Sequence, residues 1–253
     1  MDAPLLAVHV YDRHSGGAPR TVICGVGRGE GRGAIGVVRL SARGSVTSVQ
    51  RIETGLEPSA IVLRDLVGDD RDEVIVELKT YARNQARSVY RMQNERLRLI
   101  GETIGYWRLI TFDLDGDGTH ELLSTSCCAN RSACAMGIAM TLMHFDGTAY
   151  QPAAARITDA EGLTMGEREA TQWHLALPPL DQRPPGARYR IHAAGPFRKA
   201  SVREGETVLA TFDGDAPQRI ATVTLPNPCH VLDVLADGPA GEEAWFLLEE
   251  IRD

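Results

Sequence analysis

The chain repeats a short acidic pattern. Asp65-Leu66-Val67-Gly68-Asp69-Asp70-Arg71-Asp72-Glu73 aligns with Asp113-Leu114-Asp115-Gly116-Asp117-Gly118-Thr119-His120-Glu121, and the two copies begin 48 residues apart. Each copy runs straight into apolar residues, Val74-Ile75-Val76 in one and Leu122-Leu123 in the other. An Asp/Gly turn that feeds aliphatic and β-branched residues is a turn-to-strand junction, so the repeating unit is built of strands. No segment sustains a 3.6-residue apolar period, and short apolar runs are separated throughout by Gly, Asp and Asn. The fold class expected is therefore all-β.

A second match follows each acidic turn. Val89-Tyr90-Arg91-Met92-Gln93-Asn94-Glu95-Arg96-Leu97 aligns with Leu142-Met143-His144-Phe145-Asp146-Gly147-Thr148-Ala149-Tyr150, a strand, a polar turn and a returning strand, as a β-hairpin requires. These segments begin 53 residues apart, so the second copy holds an insertion of five residues between turn and hairpin. Val37 to Val46 reads as the same hairpin one unit earlier. Three units thus fill residues 1–155, with a period in the range of propeller blades. Residues 156–187, ending in Pro178-Pro179-Leu180-Asp181-Gln182-Arg183-Pro184-Pro185-Gly186, read as a linker or extended loop. Strand-like segments then recur at Arg188–His192, Thr207–Phe212, Ile220–Leu225, Val231–Leu235 and Ala244–Leu248, giving a β-sandwich-like module over 188–253. The competing reading makes these further blades, with Leu5 to Val10 closing a single small propeller of about five.

The second acidic turn carries the clearest chemistry. Calcium takes about six to eight oxygen ligands, which a chain supplies by wrapping sharply around the ion. Asp113, Asp115 and Asp117 stand at positions 1, 3 and 5, and Gly118 at position 6 permits positive φ. Thr119 at position 7 offers its backbone carbonyl and Glu121 at position 9 a fourth carboxylate. Acids this close repel one another unless a cation lies among them. Position 12 is Ser124, where an EF-hand has glutamate, and the flanks Trp107-Arg108-Leu109-Ile110-Thr111-Phe112 and Leu122-Leu123-Ser124-Thr125 favour strand-loop-strand. In the first copy Val67 replaces the second aspartate and Asp70 the glycine, so Asp65, Asp69 and Glu73 remain as a turn whose acids bond to backbone or face water.

Asp113 to Leu123, the degenerate copy Asp65 to Val76 and the hairpin with Phe145-Asp146-Gly147 resemble the FG-GAP or VCBS repeats of integrin-type β-propellers and of many secreted bacterial proteins. The resemblance covers about three-fifths of the chain. It implies calcium ligation by Asp113, Asp115, Asp117, Thr119 and Glu121, with Glu121 standing where aspartate is commoner.

With Asp+Glu at 34 against Lys+Arg at 27, the net charge of -7 argues against a nucleic-acid groove and suits a cation or a basic protein. No apolar run approaches a membrane span, and Met1-Asp2-Ala3-Pro4 lacks the features of a secretion signal. Cys127, Cys128 and Cys134 bunch in the inserted stretch, which suits a disulfide from Cys134 to Cys127 or Cys128 in an oxidising compartment. Cys24 and Cys229 either pair or stay as small apolar residues. Gly25 to Gly33 is glycine-rich but lacks the Lys-Ser/Thr of a phosphate loop, and reads as a flexible connection.

The expected function is a non-enzymatic calcium-binding protein that presents loops to a protein partner; it is either periplasmic or extracellular with its leader absent from this chain, or, as the alternative, cytoplasmic. An inhibitor or immunity protein of a secreted toxin is one form of it. The second reading is a carbohydrate-binding or hydrolase-associated secreted protein, with Trp173, Trp245 and Tyr189 as the rings to watch.

Overall fold

The computed structural model describes residues 5–11, 20–41, 43–80, 84–106, 110–114, 117–126, 139–153, 155–164, 171–177, 186–214, 219–225, 231–241 and 243–251. Among these residues there are twenty strands in five four-stranded sheets and no helix.

In the first three sheets the spatial order follows the chain. The first holds β1 (Leu5–Tyr11), β2 (Arg20–Gly29), β3 (Arg32–Leu40) and β4 (Val46–Glu53). The second holds β5 (Pro58–Arg64), β6 (Glu73–Leu78), β7 (Asn84–Gln93) and β8 (Arg96–Tyr106). The third holds β9 (Ile110–Phe112), β10 (Glu121–Ser126), β11 (Ala139–Phe145) and β12 (Tyr150–Pro152). Two of the hairpins close through a pair of left-handed residues, Glu30-Gly31 between β2 and β3 and Asn94-Glu95 between β7 and β8. That backbone matches the right-handed twist of the flanking strands. Gly25 to Gly33, expected as a flexible connection, is therefore the paired end of a hairpin, with Gly25 opposite Ile35 and Gly27 opposite Gly33.

The chain forms two compact units, one made of Met1–Leu109 with Phe145–Gln151, the other of Ile110–His144 with Pro152–Asp253. In the first, the sheets β1–β4 and β5–β8 share one core of Tyr11, Ile23, Ile35, Val37, Val74, Val76, Leu78, Tyr90 and Met92. The Gln50 side chain joins the two sheets as a strand would: its Nε2 donates to the Leu97 carbonyl and its Oε1 accepts from the Leu97 N–H, both at 2.9 Å. β6 is buried on both faces, which explains why Val74-Ile75-Val76 does not alternate with polar residues.

The second unit contains two sheets of another kind. One is ordered β13-β20-β15-β18 and the other β14-β19-β16-β17, where β13 is Arg156–Thr164, β14 Thr171–Ala176, β15 Arg188–Ala194, β16 Lys199–Glu204, β17 Thr207–Asp213, β18 Ile220–Thr224, β19 Val231–Asp237 and β20 Glu243–Ile251. The chain passes back and forth between these sheets, and both contribute to one core that includes Tyr189, Ile191, Val202, Phe212, Leu232, Val234, Phe246 and Leu248. On the opposite face of β20, Leu247 packs with Leu123, Leu142 and Ile157. Residues 156–187, expected as a linker, thus supply β13 and β14. Both are edge strands, paired on one side only and poor in large aliphatic residues, so they lack the alternation by which strands are recognised.

Gly214 ends β17 where the backbone of Phe197 and Arg198 crosses it. A Cβ on Gly214 would lie 2.0 Å from the Phe197 carbonyl oxygen, and its N–H donates to the Arg198 carbonyl at 2.8 Å. Gly214→Ala is expected to lower the urea midpoint of the full chain by an amount equivalent to about 1–3 kcal/mol, the range for overpacking. An unchanged midpoint would mean that these backbones can part freely.

Candidate metal centre

The two acidic turns share the same bonds at positions 1, 2, 6 and 9 despite their differences in sequence. In the first, Asp65 at position 1 accepts from the N–H of Asp70 at position 6 (2.9 Å), and in the second Asp113 accepts from the N–H of Gly118 at 3.0 Å. Position 6 is left-handed in both, with φ of 60° at Asp70 and 88° at Gly118. Aspartate tolerates that conformation better than most residues, because its short side chain bonds locally. At position 9 the glutamate turns back on its own loop: Leu66 N–H donates to Glu73 Oε2 and Leu114 N–H to Glu121 Oε2, each at 2.8 Å. Both glutamates begin a strand and both are buried, Glu73 at 0% exposure and Glu121 at 6%.

Within the second turn Asp117 Oδ1 also accepts from Thr119 N–H at 2.7 Å, so Asp113, Asp117 and Glu121 all face the loop's own backbone. Asp115 lies outside the described residues, and among the described residues no three His, Cys, Asp or Glu form a metal-holding group. The donor set nonetheless suits a hard cation: carboxylates spaced along a loop with a left-handed position 6 and a buried glutamate beneath.

The turns differ in what lies across from the glutamate. Continuing the Val74–Tyr90 register by one residue sets Arg91 opposite Glu73, and continuing the Leu122–Met143 register sets His144 opposite Glu121. Arg91 Nε lies 3.6 Å from Glu73 Oε1, its Nη2 bonds to Asp69 Oδ2, and its guanidinium lies over the Phe145 ring at 5.9 Å. Burial pushes the Glu73 carboxyl from its ordinary 4.5 up to about 7, with the Leu66 N–H and Arg91 pulling down and Asp65 and Asp69 pushing further up.

A second buried ionic group joins β15 to β20. His192 Nε2 meets Glu249 Oε2 at 2.7 Å, and Arg190 Nη1 donates to the two oxygens of Glu249 at 3.1 and 3.3 Å. Burial lowers the His192 pKa against the opposing pull of Glu249. Neither this group nor the Glu73–Arg91 pair was nominated from sequence. His192 and Glu249 stand 57 residues apart, and only the strand register brings them together. For Glu73 and Arg91 the repeat did hold a signal, since both fall on aligned positions of the two copies.

Cys127, Cys128, Cys134 and Cys229 lie outside the described residues, while Cys24 is a free thiol whose Sγ donates to the Gly36 carbonyl at 3.4 Å. Tyr189 is fully buried in the core and is not a free sugar platform, while Trp245 is partly buried against the Leu247 cluster; the Trp173 side chain is not among those described. Among the described residues no helix is long and apolar enough to cross a membrane.

No protein-family model matches the chain, and no curated protein sequence does. Among solved structures, one titled a glycoside hydrolase aligns with 9% identity over 87% of this chain and 68% of its own, at a TM-score of 0.22. A variant of the Bombyx mori GH32 beta-fructofuranosidase in complex with sucrose aligns with 12% identity over 95% of this chain and 62% of its own, at a TM-score of 0.27. At such scores neither likeness bears on what this chain does.

The raised pKa of Glu73 has a definite sign. The folded state holds this proton more tightly than the unfolded chain, so the stability it contributes is complete below pH 4.5 and is lost as pH rises through about 7. Relative to Glu73→Gln, the wild type is expected to lose stability across that window, by at most about tenfold in the unfolding constant per pH unit. Urea melts of both proteins at pH 5 and pH 8 measure it. A constant difference would show that Glu73 ionises as it does in the unfolded chain.

Proposed function

We propose that the protein is a non-enzymatic β-repeat protein whose second acidic turn is braced by one calcium ion, and that it works as a protein-interaction module. In this reading the three sequentially ordered sheets are propeller-type blades of the FG-GAP or VCBS kind. The observation that supports it is the shared bonding of the two turns. The second copy repeats the bonds at positions 1, 2, 6 and 9 of the first, and its four acids stand at positions 1, 3, 5 and 9 with no Lys or Arg between 113 and 121. The side chains of Asp113, Asp115, Asp117 and Glu121 and the carbonyl of Thr119 would hold the ion. Bound calcium supplies positive charge and ties the turn to the strand it precedes.

Loops on a rigid β scaffold are common binding surfaces, and a net charge of -7 suits a basic protein partner, of which a secreted toxin held by its inhibitor or immunity protein is one kind. Extracellular calcium modules bind at about 10⁻⁴–10⁻³ M, which favours a periplasmic or extracellular setting for a loop with so few side-chain ligands.

The full chain is expected to melt at a higher temperature in millimolar calcium than in chelator. A ligand bound only by the folded state contributes about 2.7 kcal/mol at a hundredfold excess over Kd. Asp115→Ala should abolish the difference, and superimposable wild-type curves would refute the calcium reading. Affinity capture from the source cell is expected to return one stoichiometric basic protein; glycan-array binding without such a partner would favour the carbohydrate reading instead.

A further inference from the structure

The two turns present one electrostatic problem with different surroundings. In each, a glutamate at the start of a strand is withdrawn from water and bonded by one oxygen to the N–H at position 2 of its loop. In the first turn the other oxygen, Glu73 Oε1, has no hydrogen-bond partner among the described residues and looks toward Arg91 Nε at 3.6 Å. The same guanidinium reaches Asp69 at position 5 and is covered by the Phe145 ring. Arg91 itself is only 16% exposed. One positive group thus lies beside the carboxylates of positions 5 and 9 together, two of the places whose counterparts would face a cation in the second loop. Asp65, at position 1, is occupied with the N–H groups of Gly68 and Asp70, and Arg71 approaches Asp69 only from the exposed side at 3.8 Å.

We propose that Arg91 is the built-in cation of the first turn: its guanidinium does there what a bound divalent ion does in the second, where the corresponding residue is His144. The second half of this statement rests on the calcium reading above; the first half does not. It accounts for the difference between the copies at position 3. With a guanidinium fixed across from position 9, the first turn does not need the aspartate at position 3 and carries Val67 there. The second turn has an exposed histidine at the matching place and keeps the aspartate at position 3, Asp115. The chain accordingly takes one calcium ion, not two.

The test uses the full chain and calcium alone as the probe. At pH 8, where the Glu73 carboxyl of the wild type is ionised, Arg91→Gln should lower the melting temperature in chelator by about 5 °C or more, as expected when one partner of a buried pair is removed from a chain of this size. Arg91→Lys, which keeps the charge, should recover part of that loss, and adding Glu73→Gln to Arg91→Gln should recover much of it. A fall that neither change relieves would mark Arg91 as a packing residue and overturn the proposal, as would an Arg91→Gln protein as stable as the wild type. The reciprocal variant His144→Arg should melt higher than the wild type in chelator and lose its response to calcium. Isothermal titration should give one calcium per wild-type chain and none for His144→Arg; two per wild-type chain would overturn the proposal. If the wild type does not respond to calcium, the calcium reading fails by itself, and the Arg91–Glu73 coupling still decides this inference.

Discussion

A carboxylate withdrawn from water has to find hydrogen-bond donors or positive charge, because its desolvation costs several kcal/mol even after the surroundings relax. This chain places such a carboxylate at the first residue of β6 and again at the first residue of β10. In both places the glutamate is held by a main-chain N–H of the loop before it, so the same bond that lessens the desolvation cost fastens the loop to the strand. The acidic turn is therefore more than a connection. It sets where the strand begins and which way its first side chain points, and the register of the following hairpin is built from there.

That bond leaves the charge only partly compensated, and the rest of each turn is arranged around what remains. In the first turn the arrangement is internal: Arg91 comes from the next strand, Asp69 orients it, and Phe145 covers its face. A fixed guanidinium at 3.6 Å lies beyond hydrogen-bond reach of Glu73 Oε1, and burial accordingly outweighs it in setting the carboxyl's affinity for a proton. A small divalent ion bound directly by several oxygens would meet the same charge more closely than a guanidinium can, which is a physical reason for one copy to retain a full acidic set.

Much of this was legible in the sequence, but unevenly. The nine-residue match between Asp65–Glu73 and Asp113–Glu121 gave the turn positions, and the turns at Asn94-Glu95 and Asp146-Gly147 lie where the hairpin match puts them. Edge strands were the weak point. β13 and β14 carry Arg156-Ile157-Thr158-Asp159 and Thr171-Gln172-Trp173-His174, polar enough to pass for a linker, and only their partners β20 and β19 make them strands. Glycine density misled in the other direction at Gly25 to Gly33, where small residues admit a close approach: a Cβ on Gly33 would lie 2.3 Å from Pro58 Cδ, and one on Gly36 2.9 Å from Cys24 Sγ. The buried ionic contacts were invisible for a different reason, since a residue's cross-strand neighbour depends on register, which a single alignment of turns does not specify.

The comparison of Asp70 with Gly118 shows why a degenerate copy is not a weaker fold. Read as letters, the loss of glycine at position 6 and of aspartate at position 3 looks like decay of a metal loop. In the structure Asp70 adopts the left-handed conformation that Gly118 adopts, and its N–H donates the same bond to the aspartate at position 1. The bonds from positions 6 and 2 to the acids at positions 1 and 9 are the same in both copies, while the residue across from position 9 differs, Arg91 in one and His144 in the other. With Arg91 across from Glu73, an acid at position 3 adds repulsion, and Val67 there avoids it. On the proposal above, the valine at position 3 and the arginine on β7 are coupled, whereas Asp70 at position 6 is accommodated by its left-handed backbone and its own N–H bond to Asp65.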